Sequence, residues 1–186
     1  MTNLDQALRD FAALFERMGI PYAVMGGLAV RVYAIPRPTH DADFTIAIHR
    51  DRLPELYKEV RKLGYSVPET FDSGWVDTVA GMPLIRFRLY LENHAIDVDV
   101  FLAESEFQQQ IIARRQRVEL DNSSLMLVSP EDLILLKLLA GRPRDYTDVQ
   151  DILFTLGTLD EKYMRHWAKE LGLSQKLEKA LNQSPE

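Results

Sequence analysis

Two short apolar stretches, "DADFTIAI" from Asp41 and "AIDVDVFL" from Ala95, each carry two aspartates one residue apart. Their β-branched and aromatic content predicts strands, and in a strand residues two apart project from the same face. Asp41 and Asp43 then stand side by side on one strand, and Asp97 and Asp99 on another. If the two strands are neighbours, three or four carboxylates converge on one point of a sheet. Like charges that close repel and raise one pKa unless a cation neutralises them. An all-oxygen cluster suits Mg²⁺ or Mn²⁺ better than Zn²⁺, and none of the four histidines has the HExxH spacing of a zinc helix. Either pair alone reads equally well as a turn or as the solvated face of an edge strand. The two pairs together point to a metal site.

The remaining chain supplies a frame for such a sheet. Leu4, Ala7, Leu8, Phe11, Leu14, Phe15 and Met18 recur at helical spacing until Gly19 and Pro21 stop the run. "PYAVM" reads as a short buried strand, and "GGLAVRVYA" as a turn opening into a helix. A helix follows over 50–65, ending near Gly64. Glycines, Pro83 and Asn93 then separate "LIRFRLYL" from "AIDVDVFL", two strands of one sheet. Four helices are predicted near 104–115, 130–140, 146–156 and 161–171, with a frayed tail after them. The expected fold class is α/β (α+β), with a core over 1–128 and a helical region over 129–186 packed on it as one unit.

The chain of 186 residues has no cysteine, which excludes thiol catalysis and thiolate zinc sites and fits a reducing cytoplasm. Its start lacks the basic lead of a secretory signal. The longest apolar stretch, "LILLKLLA", falls far short of the roughly 18 residues that span a bilayer and contains Lys137. A cytoplasmic protein without a membrane partner is expected. The net charge of −6 argues against broad coating of nucleic acid but leaves room for a local basic surface. Gly26 and Gly27 lie between a predicted strand and a predicted helix, where glycine lets a phosphate approach the backbone and the helix start offers free N–H groups. The pair alone is weak evidence, and neither GxGxxG nor GxxxxGK[ST] is present.

Taken together, "GG", the 13 residues Leu28 to His40 and "DAD", with a further acid on a later strand, resemble the signature of the DNA polymerase β-like nucleotidyltransferase superfamily. The "R-x-T-x-D-x-D" form of Arg37, Thr39, Asp41 and Asp43 is similar to two of its branches, the abortive-infection and toxin-type enzymes and the aminoglycoside nucleotidyltransferases. "SPEDLILLKLLAGRPRDYTDVQDIL" looks like the late motifs of the first branch, a helix lysine, Lys137, followed by R-D-x-x-D at Arg144, Asp145 and Asp148. The resemblance spans residues 22–153. Ala42 departs from the larger aliphatic usual between the two acids. The third acid is Asp97 or Asp99, and the family's apolar-acid-apolar form favours Asp99.

The resemblance implies a mixed sheet flanked by helices, with a helical C-terminal third. It also implies an enzyme that moves a nucleoside monophosphate from an NTP to a hydroxyl, with two Mg²⁺ (or Mn²⁺) ions. Asp41 and Asp43 would hold both ions, and Asp99, or Asp97, would join them and activate the acceptor. Gly26, Gly27, Arg37, Thr39, Arg144, Asp145 and Asp148 would bind nucleotide, and Lys137 would neutralise triphosphate charge. The toxin-type branch implies an RNA (such as tRNA) or protein acceptor and an antitoxin partner; the other branch implies a small aminoglycoside-like acceptor. A non-catalytic nucleotide-binding module ranks last, because no catalytic acid is missing.

Plainer readings stand beside these. Arg37 could be a solvated loop residue, Lys137 a snorkelling lysine, and Arg144, Asp145 and Asp148 a surface pairing. His40 is expected on the strand face opposite Asp41, in a structural role. Arg114, Arg115 and Arg117 read better as a solvated helix end than as an RNA contact, and Trp75 and Trp167 as packing residues.

Overall fold

The computed structural model describes residues 3–120 and 123–183. Helix α1 (Asn3–Arg17) buries the stripe from Leu4 to Phe15, and Gly19, at φ 64°, turns the chain into strand β1 (Tyr22–Met25). Helix α2 (Gly26–Tyr33) follows at once, then a loop, strand β2 (Ala42–Ile46), a 3-10 turn over Arg50–Arg52 and helix α3 (Leu53–Lys62). A single helical turn, α4 (Glu69–Asp72), precedes three strands: β3 (Asp77–Val79), β4 (Met82–Tyr90) and β5 (Ala95–Leu102). Helix α5 (Glu106–Arg114) leads into β6 (Gln116–Leu120) and β7 (Ser123–Leu127). Helices α6 (Pro130–Ala140), α7 (Pro143–Leu156), α8 (Glu161–Glu170) and α9 (Ser174–Asn182) complete the described chain.

The strands form a mixed sheet in the order β3-β4-β5-β2-β1-β7-β6. Strand β2 runs antiparallel to β1 and parallel to β5, and β5 runs antiparallel to β4. Phe11 and Phe15 of α1 pack on one sheet face, with ring centroids 5.6 Å (Phe11–Phe87) and 5.4 Å (Phe15–Phe44) apart. Asp43 neighbours Phe44 on β2, so by alternation it projects from the opposite face. Helices α6 and α7 pack against α2, and the run from Glu131 to Leu138 in α6 is buried all round.

Several expectations need correction. The sheet extends through β6 and β7, two short charged or serine-rich strands in a segment where no element was predicted. The tail is a ninth helix whose Leu177 and Ala180 are buried. Strand β2 begins at Ala42, so Asp41 sits in the bend before it and His40 lies in the loop, where strand alternation does not apply. Arg114 is no solvated helix end: its guanidinium lies 3.8 Å over the Tyr163 ring and bonds Glu131 at 3.2 Å. Trp167 packs on Phe107 at 5.2 Å, whereas Trp75 stays 52% exposed while stacking on Phe71. Among the described residues no helix is long and apolar enough to cross a membrane.

Candidate active site

The parallel register of β2 and β5 sets Asp43 opposite Asp99, and the antiparallel register of β5 and β4 sets Asp99 opposite Arg86 and Asp97 opposite Arg88. The neighbouring-strand arrangement of the two acid pairs is therefore present. A cleft of about 500 Å³ opens there, lined by Asp41, Asp43 and Asp99, by Gly26, Gly27, Arg37 and Thr39, and by Lys137, Arg142, Arg144 and Asp145. Met82, Phe101, Leu133 and Leu136 give it an apolar wall. Asp97 lies outside this lining, held by Arg88 at 2.5 and 2.8 Å. That bond keeps its pKa below the ordinary carboxylate value.

Asp43 is the most perturbed acid. Burial first, then the charges of Asp99 and Asp41, push its pKa up to about 7, against the opposing pull of Lys137 and Arg142. Asp41 is raised for the same reasons, burial and then Asp97 and Asp99. Asp99 is clamped by Arg86 through two bonds of 2.6 and 2.7 Å.

The glycines are explained by what touches them. Gly26 has φ +65°, and a Cβ placed on it would stand 2.0 Å from Oδ2 of Asp43. A Cβ on Gly27 would stand 2.6 Å from Oγ1 of Thr39. Both positions make room for side chains of the cleft. They also open α2, whose N-cap Met25 offers no side-chain acceptor to the first N–H groups, the arrangement in which a helix start can take an anion.

The late motif forms a buried ion network. Lys137 Nζ lies 2.7 Å from Asp148 and 3.1 Å from Asp145, and Arg37 bonds Asp148 at 2.6 and 2.7 Å. Arg142 bonds Asp145 at 2.7 Å. Burial pushes both carboxyls up, but Arg142 and Lys137 at Asp145, and Arg37 and Lys137 at Asp148, outweigh it and hold them low. Lys137 thus does not snorkel, Arg37 is not freely solvated, and Asp145 and Asp148 are not a surface pairing. Arg144 alone of the motif is exposed, and it makes no ion pair among the described residues.

Arg86, Arg142 and the apolar wall escaped the sequence reading. One signal was present for the first: "LIRFRLYL" alternates as "AIDVDVFL" does, and R-x-R on one strand can face D-x-D on the next. His40 lies apart from the cleft, in a shallow groove it shares with Arg31 and His94.

Among the described residues no three His, Asp or Glu side chains converge closely enough to hold a metal ion as they stand. The donor set nevertheless fits a hard divalent cation, because the carboxylates of Asp41, Asp43 and Asp99 line one cleft and the half-buried Asp43 is destabilised by its acidic neighbours.

A mixed sheet with paired acids at its centre and a glycine turn beside them defines a nucleotidyltransferase fold. The chain belongs to the family described as nucleotidyltransferase of unknown function (DUF6036), whose model matches residues 1–182. Among solved structures it is similar to an antigenic nucleotidyltransferase-like protein from Paracoccidioides brasiliensis, at 20% identity and a TM-score of 0.55, over 96% of this chain and 91% of that one. It is also similar to the antibiotic-resistance factor ANT(2'')-Ia, at 14% identity and a TM-score of 0.58, over 94% and 95%. A third is the lincosamide antibiotic adenylyltransferase LnuA, at 15% identity and a TM-score of 0.51, over 82% and 96%. At such identities these likenesses speak to the fold. No curated protein matches.

Proposed function

We propose that the protein transfers a nucleoside monophosphate from an NTP to a hydroxyl acceptor, using Mg²⁺ or Mn²⁺ held by Asp41, Asp43 and Asp99. The observation that carries this reading is the direct pairing of Asp43 with Asp99 across the sheet, inside a cleft that also contains the start of α2. In the reaction the acceptor oxygen attacks the α-phosphorus, the bond to the β-phosphate oxygen breaks, and pyrophosphate leaves. Two divalent ions, when bound, would favour the acceptor alkoxide and offset the charge that develops on the leaving group.

The chain's own residues divide the remaining work. Asp99 is placed to accept the acceptor proton once Arg86 releases it. The N–H groups at Gly26 and Gly27, with Thr39, cradle the phosphate tail. Arg144, exposed and without an ion pair among the described residues, is the cation best suited to meet a phosphate oxygen. Lys137 has its charge committed to Asp145 and Asp148, so with Arg37 it positions the loop before β2 against α7.

The acceptor is read as RNA or protein, toxin-like. The chain's acidity does not extend into the cleft, whose lining sets Arg37, Arg86, Lys137, Arg142 and Arg144 against Asp41, Asp43, Asp99 and Asp145. A polycationic drug gains little from that balance. The second reading, a small-molecule acceptor, draws on the fold likeness to ANT(2'')-Ia and to LnuA, solved with adenylyl-2''-tobramycin and lincomycin respectively.

The test is incubation of wild type and Asp43→Ala with Mg²⁺ and each of four α-labelled NTPs. Bulk tRNA, the protein itself and an aminoglycoside panel are offered in turn. Label moving to tRNA or protein with wild type alone supports the first reading, and label on a drug supports the second. Equal transfer by folded Asp43→Ala overturns both.

A further inference from the structure

We propose that Arg86 is an internal counter-ion, which occupies Asp99 in the cation-free protein and gives it up when a divalent cation binds. The inference rests on the metal reading above and concerns what frees its third acid. Asp41 and Asp43 carry no ion pair among the described residues, whereas both Asp99 oxygens are taken by the Arg86 fork. A carboxylate held in this way has one lone pair on each oxygen committed to the fork, so a cation at Asp99 must compete with Arg86 for it.

The pair is built to be exchanged. The Asp99 side chain is 14% exposed, but that of Arg86 is 48% exposed, so the guanidinium can swing into water with its solvation intact. Exposed ion pairs are worth little net free energy, and a divalent ion in place of a monovalent fork interacts more strongly with the same carboxylate. The next rung of the same two strands supplies a natural control. Arg88 grips Asp97 with the same bidentate geometry, yet Asp97 stands outside the cleft. If Arg86 merely staples β4 to β5, the two arginines should behave alike. If it guards the third acid, only Arg86 should matter to the cation.

The experiment is a Mn²⁺ titration of the full chain, followed by the electron paramagnetic resonance of free Mn²⁺. Wild type, Arg86→Gln, Arg88→Gln and Asp43→Asn are compared, each checked for fold by circular dichroism. Arg86→Gln is expected to bind Mn²⁺ about tenfold more tightly, with Arg88→Gln unchanged. Unchanged or weaker binding in folded Arg86→Gln, or equal tightening in Arg88→Gln, overturns the inference. Should Arg86→Gln fail to fold, Arg86→Lys keeps the charge but loses the fork; it is expected to tighten binding by a smaller factor, and no tightening there overturns the inference equally. Asp43→Asn separates the two levels. If wild type binds Mn²⁺ no better than Asp43→Asn, the metal reading itself fails and carries this inference with it; if Asp43→Asn alone loses binding, a null result at Arg86 concerns Arg86 only.

Discussion

Gly26 is held at φ +65° with the Asp43 carboxylate where its own side chain would go. An L-residue there bears a left-handed backbone cost of roughly 1–2 kcal/mol, and the added methyl must also push Asp43 off its place opposite Asp99. Gly26→Ala is expected to lower stability by at least about 2 kcal/mol, and to lower transfer by roughly a hundredfold or more, because misplaced catalytic groups are costly. Gly27→Ala meets the Thr39 hydroxyl and methine and, at ordinary contact distance, the Arg37 guanidinium, without a positive φ, so its cost should be smaller. Pairing it with Thr39→Ala should recover much of that loss. Thermal melts of the two single variants and the double variant check the ranking; equal damage from both glycines would contradict it. The sequence pointed to the glycines only as a weak phosphate-binding signal. A strand-glycine-helix pattern suggests a phosphate cradle, whereas contact with a residue 17 positions downstream depends on β1–β2 pairing, which no local pattern reveals.

At the scale of elements, α6 and α7 are joined by charges that both helices bury. Removing Lys137 leaves Asp145 and Asp148 with only Arg142 and Arg37 as partners, and breaking a buried pair costs about 3–5 kcal/mol. Lys137→Met should therefore destabilise strongly at about pH 8. The pH dependence has a definite sign. In wild type both carboxyls are held below their ordinary value, so their contribution is complete above that value and is lost only as pH falls through the depressed folded one. In the variant, burial is opposed less, the carboxyls rise, and protonation removes the penalty. The gap between wild type and Lys137→Met should thus narrow as pH falls toward about 5, as melts across that range would show; a constant gap would mean lost packing alone. A second buried junction joins α6 to α8, where the Tyr163 hydroxyl donates to fully buried Asp132 at 2.6 Å. Tyr163→Phe should cost about 1.5–3 kcal/mol, measured by urea denaturation. The single turn α4 (Glu69–Asp72) was not predicted, whereas the longer helices were legible from their apolar content and helical spacing. The inward turn of Lys137 was not, although "LILLKLLA" hinted at it, since a helix apolar on every face offers a lysine no wet side. Strands β6 and β7 were missed because they are short and mix charged and serine residues with apolar ones, and α9 because only Leu177 and Ala180 commit it to the core.

For the whole molecule the question is whether the helical third can part from the sheet. The cleft draws Asp41, Asp43 and Asp99 from the bend before β2, β2 and β5, but Asp145, its lysine and two of its arginines from α6, α7 and the turn between them, so a boundary between 128 and 129 would cut through the site. It would also cut through packing. Val128 and Ser129 are fully buried, Ser129 caps α6 by accepting from the Asp132 N–H, and Leu133, Ile134 and Leu135 have no exposed surface. Each such leucine or isoleucine contributes roughly 1.5–3 kcal/mol by burial, and a chain ended at 128 forgoes these contacts while uncovering the apolar surface they shield. We therefore predict one cooperative unfolding transition for the full chain, with calorimetric and van't Hoff enthalpies in agreement. The 1–128 fragment should have no sharp melt. Removing only residues 174–186 should leave a cooperative but less stable fold, because α9 contributes few buried side chains. Two resolved transitions in the full chain, or a folded 1–128 fragment, would instead make the sheet an independent domain. The arginines and lysine of α6 and α7 would then reach the cleft by docking, and the spacing between Lys137 and Asp43 would vary with the docked state.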